Sequence, residues 1–247
     1  MIKQIPNIIT SLNILCGSIA LIFAVSGDLV TASFFVFLGI FFDFFDGLAA
    51  RLLNAQSEVG LQLDSLADVI TSGVVPGIVM VQLLSESILG IPLTVSDLFS
   101  GEGWNVGISH YLPYIGLLII VASAYRLAKF NVDTRQSSSF IGLPTPGNAL
   151  LILSIPLILY YQPSEIVDAI FLNTWVLLGI TVLSCILLNA ELPLFGLKFK
   201  TWNFKDNAIR YIFLVLSLVG LIFFNFIAIP FIILLYIIFS IVWKEKK

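Results

Sequence analysis

Phe41-Phe42-Asp43-Phe44-Phe45-Asp46-Gly47-Leu48-Ala49-Ala50-Arg51 and Gly60-Leu61-Gln62-Leu63-Asp64-Ser65-Leu66-Ala67-Asp68 sit in long apolar runs, yet together they carry four aspartates. A charge at the bilayer centre costs at least ~2.5–3.5 kcal/mol on insertion scales. Four carboxylates held close together would also repel one another, so something must compensate them. Asp43, Asp46, Gly47, Ala50 and Arg51 stand at i, i+3, i+4, i+7 and i+8, which is one face of a helix. Gly60, Asp64 and Asp68 stand at i, i+4 and i+8, again one face. The short connection 52–59 makes the two helices antiparallel neighbours, so these faces can meet. Four oxygen ligands would then converge with no nitrogen or sulfur beside them. Such a site suits Mg²⁺ or Mn²⁺ and not zinc or copper.

The rest of the chain supplies the apolar setting. Of its 247 residues, 59% are hydrophobic and 11% charged, with a mean hydropathy of +1.05. A soluble domain of this size carries about a quarter charged residues. The net charge of −3 is uninformative in itself, and no nucleic-acid partner is expected. Cys16 and Cys185 both fall in apolar runs and read as small buried side chains. His110 is the only histidine, which gives little support to zinc chemistry or a Ser-His-Asp triad. The opening stretch is longer than the ~7–15-residue apolar region of a signal peptide, so it reads as a retained first span.

Apolar runs place spans near 8–26, 32–53, 58–84, 111–130, 145–162, 170–189, 208–225 and 228–243. The expected fold is an all-α polytopic membrane bundle of about eight helices, one domain over residues 1–247. With the N-terminus in the cytoplasm and eight alternating spans, all twelve Lys and Arg fall on the cytoplasmic side. Asp28, Glu86, Asp97, Glu102, Glu165 and Asp168 fall on the other. Both termini, and the acidic cluster, are therefore expected to face the cytoplasm.

Laid out, the acidic segment reads Asp43-x2-Asp46-Gly47-x2-Ala50-Arg51-x8-Gly60-x3-Asp64-x3-Asp68. It resembles the signature of the CDP-alcohol phosphotransferase family in each of eight fixed positions over residues 43–68. The resemblance implies a site for two Mg²⁺ or Mn²⁺ ions held by Asp43, Asp46 and Asp64, with Asp68 as general base and further contact to the metal. It implies that Gly47, Arg51 and Ser57 hold the CDP moiety of a CDP-linked lipid, with small Ala50 and Gly60 leaving room beside it. Small residues on these faces also read as a device for close helix packing. Pro6-Asn7, with Thr10, resembles the family's nucleotide-reaching N-terminal segment; Asn7 and Thr10 read equally as a cap of the first helix.

Two flanking segments resemble the branch of the family whose acceptor is serine. They are Ile5-Pro6-Asn7-Ile8-Ile9-Thr10-x2-Asn13-x2-Cys16-Gly17, and Tyr125-Arg126-Leu127-Ala128-Lys129-Phe130-Asn131 with Phe140-Ile141-Gly142-Leu143-Pro144-Thr145-Pro146. The branch more often has Arg where this chain has Lys129. The expected reaction joins CDP-diacylglycerol and L-serine in a cell (inner) membrane. Arg126, Asn131 and Arg135 are the candidate serine contacts; ordinary cytoplasmic-side charge explains the arginines equally well. Glycerol 3-phosphate remains the alternative acceptor. A homodimer is expected from the resemblance alone. A cation-coupled transporter is the reading from another class, but it would spread its acids along a pathway through two related halves. The last four spans carry no usable motif.

Overall fold

The computed structural model describes residues 4–94, 108–133, 139–196 and 203–242. Ten α-helices account for most of them: α1 Ile5–Val25, α2 Leu29–Leu52, α3 Glu58–Asp68, α4 Val75–Leu89, α5 Leu118–Val132, α6 Thr145–Tyr161, α7 Glu165–Phe171, α8 Thr174–Asn189, α9 Phe204–Phe224 and α10 Ala228–Val242. Helices therefore occupy all eight apolar runs. Five stretches are long and apolar enough to cross a membrane, or six if α7 and α8, bent by 53°, count as one. Helix α6, with 17 residues, is shorter.

The helix boundaries follow from local chemistry. Asp28 caps α2 by accepting from the Thr31 amide at 3.0 Å. The chain leaves α2 through Asn54 in the left-handed region (φ 47°), with the Ala55 amide returning to the Ala50 carbonyl at 2.9 Å. Ser57 then opens α3 by accepting from the Gly60 amide at 3.0 Å. α3 and α4 form one rod joined by a π-helical turn, Val69–Val74. The last apolar stretch breaks at Asn225 (φ 48°, ψ −128°). Phe213 and Tyr236 stand at similar distances from that break, and their rings meet at 5.8 Å. α9 and α10 thus fold back on each other as a hairpin.

The rod containing α4 is the centre of the bundle, with 72% of its most apolar window buried. Val75, Val79, Met80, Leu83 and Leu84 pack against Ala20 and Ala24 of α1, Ala32 and Val36 of α2, Ile119 of α5, Ile152 and Leu153 of α6 and Leu177 of α8. The α9–α10 hairpin is 11% buried over its most apolar window and is apolar almost all round. Such a surface needs lipid as its solvent. This is an integral membrane protein.

Two departures from the sequence reading matter for the site. The expected pure α-fold contains one small sheet: β1 (Ser139–Ile141) pairs antiparallel with β2 (Pro193–Phe195). Gly142, with φ 76°, carries the chain from β1 past the end of α8, where a Cβ would lie 2.6 Å from the Leu188 carbonyl oxygen. Only glycine satisfies both demands. Second, α2 and α3 do not lie against one another as close neighbours. α1 packs along both; their acidic side chains still meet, and a cavity opens beside them.

The rods alternate between two ends. Arg51, Ser57, Asp64, Arg126 and Thr145 gather at one end. Asp28, Glu86, Tyr160, Tyr161 and Asp168 line a cavity of about 790 Å³ elsewhere, at the far ends of the same helices.

Candidate active site

Asp43 and Asp46 project from α2, and Asp64 and Asp68 from α3, at the end of the bundle where the α2–α3 connection lies. One carboxylate oxygen from each of Asp43, Asp46 and Asp64 falls within 4.8 Å of the others. The carboxyl groups of Asp43 and Asp64 are in hydrogen-bonding contact. Asp46 is 5% exposed, and its Oδ2 is buried without a hydrogen-bond partner among the described residues. The Thr10 hydroxyl lies beside Asp46 but donates to the Pro6 carbonyl at 3.0 Å. A buried carboxylate oxygen without a donor, in a set of three oxygen ligands, is what a hard divalent cation would satisfy. The residues present fit Mg²⁺ or Mn²⁺.

Beside this cluster lies a cavity of about 500 Å³. Its walls include all seven residues expected to meet the CDP-lipid: Asn7, Thr10, Gly47, Ala50, Arg51, Ser57 and Gly60. Asp46 and Asp64 line it too, so the cavity opens directly onto the acids. α1 begins at Ile5 without a side-chain cap, and Asn7 and Thr10 lie inside it. The capping alternative for these two is therefore set aside. Asn7 Oδ1 instead points at Gly60, where a Cβ would come within 3.2 Å of it. Ser57 carries a double role, since the hydroxyl that caps α3 also faces the cavity. Sequence reasoning missed Ala55, Gln56, Glu58 and Leu61 in these walls. They belong to the connection and the start of α3, where no periodicity marks a face.

Asp68 adjoins the other three acids but is not in the cavity wall. Its carboxylate also lies near Arg126 and accepts from the Thr145 hydroxyl. Thr145 is fully buried in the first turn of α6, and Arg126 of α5 is 7% exposed. Arg126 Nη1 reaches Thr145 Oγ1 at 3.4 Å, and its guanidinium lies 5.8 Å from the centre of the Phe130 ring. Its Nε has no partner among the described residues. Thr145 was not among the expected site residues; its motif was visible, but its contact with Asp68 needs α6 docked beside α3.

Asn131 bonds Ser65 of α3, donating at 2.9 Å and accepting at 3.2 Å. That pairing clamps α5 to α3 and uses the side chain that was expected to contact serine. Arg135 lies outside the described residues. Cys16 and Cys185 are free, and His110 is exposed, away from the acids.

Comparison with known proteins gives a concordant picture. Residues 3–187 match the family model described as CDP-alcohol phosphatidyltransferase. The chain is 35% identical over 158 residues to a CDP-diacylglycerol–serine O-phosphatidyltransferase of Bacillus subtilis, covering 62% of this chain and 76% of that protein. It is 33% identical over 218 residues to a protein of the same name from Helicobacter pylori, covering 87% and 81% respectively. An archaetidylserine synthase of Methanothermobacter thermautotrophicus is 29% identical over 160 residues, covering 64% of this chain and 60% of that protein.

Proposed function

The chain belongs to the CDP-alcohol phosphatidyltransferase family, and from that premise we propose that it transfers the phosphatidyl group of CDP-diacylglycerol to the hydroxyl of L-serine, giving phosphatidylserine and CMP. The observation that carries this reading is the two-sided arrangement of the acids. On one side a cavity of about 500 Å³ with Arg51 in its wall opens onto Asp46 and Asp64; on the other, Asp68 faces Arg126 and Thr145.

In-line displacement at phosphorus puts the attacking and leaving oxygens on opposite sides. CMP leaves toward the Arg51 cavity, so the acceptor must arrive from the Arg126 side. Asp43, Asp46 and Asp64 would hold two Mg²⁺ or Mn²⁺ ions, with Asp68 within reach of one. When bound, such ions neutralise charge developing on the pyrophosphate. Gly47, Ala50 and Gly60 keep the wall flat for the cytidine, and Asn7 and Thr10 close it from α1. Arg51 offers its guanidinium to a phosphate. Asp68 takes the proton from the serine hydroxyl, and that oxygen bonds to the lipid-bearing phosphorus as the bond to the CMP oxygen breaks. Thr145 and Arg126 hold the Asp68 carboxylate in place. The relatives named for serine support the choice of acceptor. Eight spans, with both termini and this site at the cytoplasmic face of the cell membrane, complete the proposal; the position of Arg51, Arg126 and Lys129 at the acidic-cluster end supports that orientation.

The test is an acceptor panel of serine, glycerol 3-phosphate and inositol phosphate, each with CDP-diacylglycerol and Mn²⁺ or Mg²⁺, read as CMP release in detergent. Serine should be the preferred acceptor. Preference for a phosphorylated alcohol would overturn the serine assignment and leave the reaction class standing. No CMP release with any acceptor would overturn both.

A further inference from the structure

Tyr236 and Ser240 are the only polar side chains of α10, four residues apart on one helix face. In a lipid setting a hydroxyl finds its partner inside the protein. Both find it at one residue of β2. Tyr236 Oη donates to the Phe195 carbonyl at 2.9 Å, and Ser240 Oγ accepts from the Phe195 amide at 3.4 Å. Arg210 of α9 holds the next residue, its Nε donating to the Gly196 carbonyl at 2.9 Å. The Phe195 ring lies against Phe213 and Tyr236, with ring centres 5.8 and 5.0 Å away. The α9–α10 hairpin, otherwise a surface for lipid, thus grips the backbone at β2 from both of its helices.

β2 in turn holds the segment that leads to the acids. Leu194 pairs with Phe140 of β1, and it packs in one buried cluster with Leu143 and with Ile233 of α10. The Gly142 amide donates to the Leu192 carbonyl at 2.9 Å, and the Leu143 amide to the Leu187 carbonyl at 2.8 Å. Two residues further on stands Thr145, fully buried, whose hydroxyl bonds Asp68. Tyr236 also neighbours Arg126, which reaches that same hydroxyl. We propose that Tyr236 is a positioning residue for the transfer reaction: through Phe195, β2 and β1 it sets Thr145 against Asp68. The proposal rests on the roles given above to Asp68 and Thr145. It draws the last two helices, which lie beyond the 3–187 segment that matches the family model, into the working part of the enzyme. The leverage is large because a misplacement of about 1 Å near the chemistry can cost about 10²-fold in rate.

The experiment measures CMP release from CDP-diacylglycerol and serine for Tyr236→Phe, Thr145→Val and the double variant, with melting temperatures in detergent alongside. Tyr236→Phe removes the bond to Phe195 and keeps the ring. It should lower kcat about threefold to fivefold, within the worth of one hydrogen bond. The KM for CDP-diacylglycerol should stay within about twofold of wild type. In the Thr145→Val background the same change should have no further effect on kcat, because the hydroxyl that it positions is gone. A lowered melting temperature with kcat unchanged would make Tyr236 an anchor of the hairpin and nothing more. An equal fractional loss of kcat in both backgrounds would mean that it acts elsewhere. Either result overturns the proposal. Should Tyr236→Phe fail to assemble, Ser240→Ala, which frees the amide of the same Phe195, is read in the same two backgrounds, and Ser240→Thr should restore what it loses. If Thr145→Val itself leaves kcat unchanged, the reading of Asp68 and Thr145 falls and this proposal with it. If Thr145→Val is impaired and Tyr236→Phe is not, this proposal falls alone.

Discussion

Replacing Asp46 by Asn should abolish activity and yet make the metal-free protein more stable. Carboxylate oxygens of Asp43, Asp46 and Asp64 lie within 4.8 Å of one another. At that separation, two unit charges at an effective dielectric constant of about 20 repel by about 3 kcal/mol. Asp43 and Asp64 are in hydrogen-bonding contact and so carry one charge between them; Asp46→Asn deletes one such pair and puts an amide where the orphaned Oδ2 lies. If only half of that relief survives relaxation, about 1.5 kcal/mol remains, which for a chain of this length raises the melting temperature by about 3–6 °C. Divalent cation reverses the order. At 100 times its dissociation constant a bound ion stabilises the wild type by about 2.7 kcal/mol, and a site short of one ligand gains far less. The assay is thermal melting in detergent, wild type against Asp46→Asn, with chelator and then with excess Mn²⁺. The reasoning fails if the variant melts below the wild type under chelation, or if Mn²⁺ stabilises both equally.

Asp68→Asn should lower turnover by about 10²–10⁴-fold, the usual worth of a general base, while CDP-diacylglycerol binding measured by equilibrium titration stays close to wild type. Thr145→Val should cost about tenfold in kcat by freeing the Asp68 carboxylate; Thr145→Ser should restore most of it, and equal loss in both variants would rule out the hydroxyl's role. Arg51→Lys keeps the charge but loses the two-pronged grip on phosphate, so the KM for CDP-diacylglycerol should rise while the KM for serine holds. Gly142→Ala places a Cβ 2.6 Å from a carbonyl oxygen at φ 76°, a strain of about 1–3 kcal/mol that a lowered melting temperature should report.

The acidic faces were legible because helical periodicity is a local property. Once Asp43, Asp46, Asp64 and Asp68 were placed at helical spacing, their convergence needed only a short connection. The wall residues Gly47, Ala50, Arg51 and Gly60 were legible for the same reason. What was hidden depends on contacts distant in sequence. Nothing in residues 52–59 announces that α1 would pack along both α2 and α3 and leave a cavity between the acids and the nucleotide wall. The pairing of β1 with β2 joins segments some fifty residues apart, with three residues in each strand, too few for alternation to show. Asn131 carried a polar side chain in the right neighbourhood, but its partner Ser65 could be named only with α5 docked on α3.

The π-helical turn at Val69–Val74 stands immediately after Asp68. A π turn holds one more residue than an α turn, and it separates the rotational setting of the acid-bearing helix from that of the core-building helix below it. In a regular α-helix one residue more or fewer rotates everything beyond it by about 100°. The wider turn takes up a residue locally, and so sets how Asp64 and Asp68 are aimed relative to the apolar faces of α4 that seat the bundle.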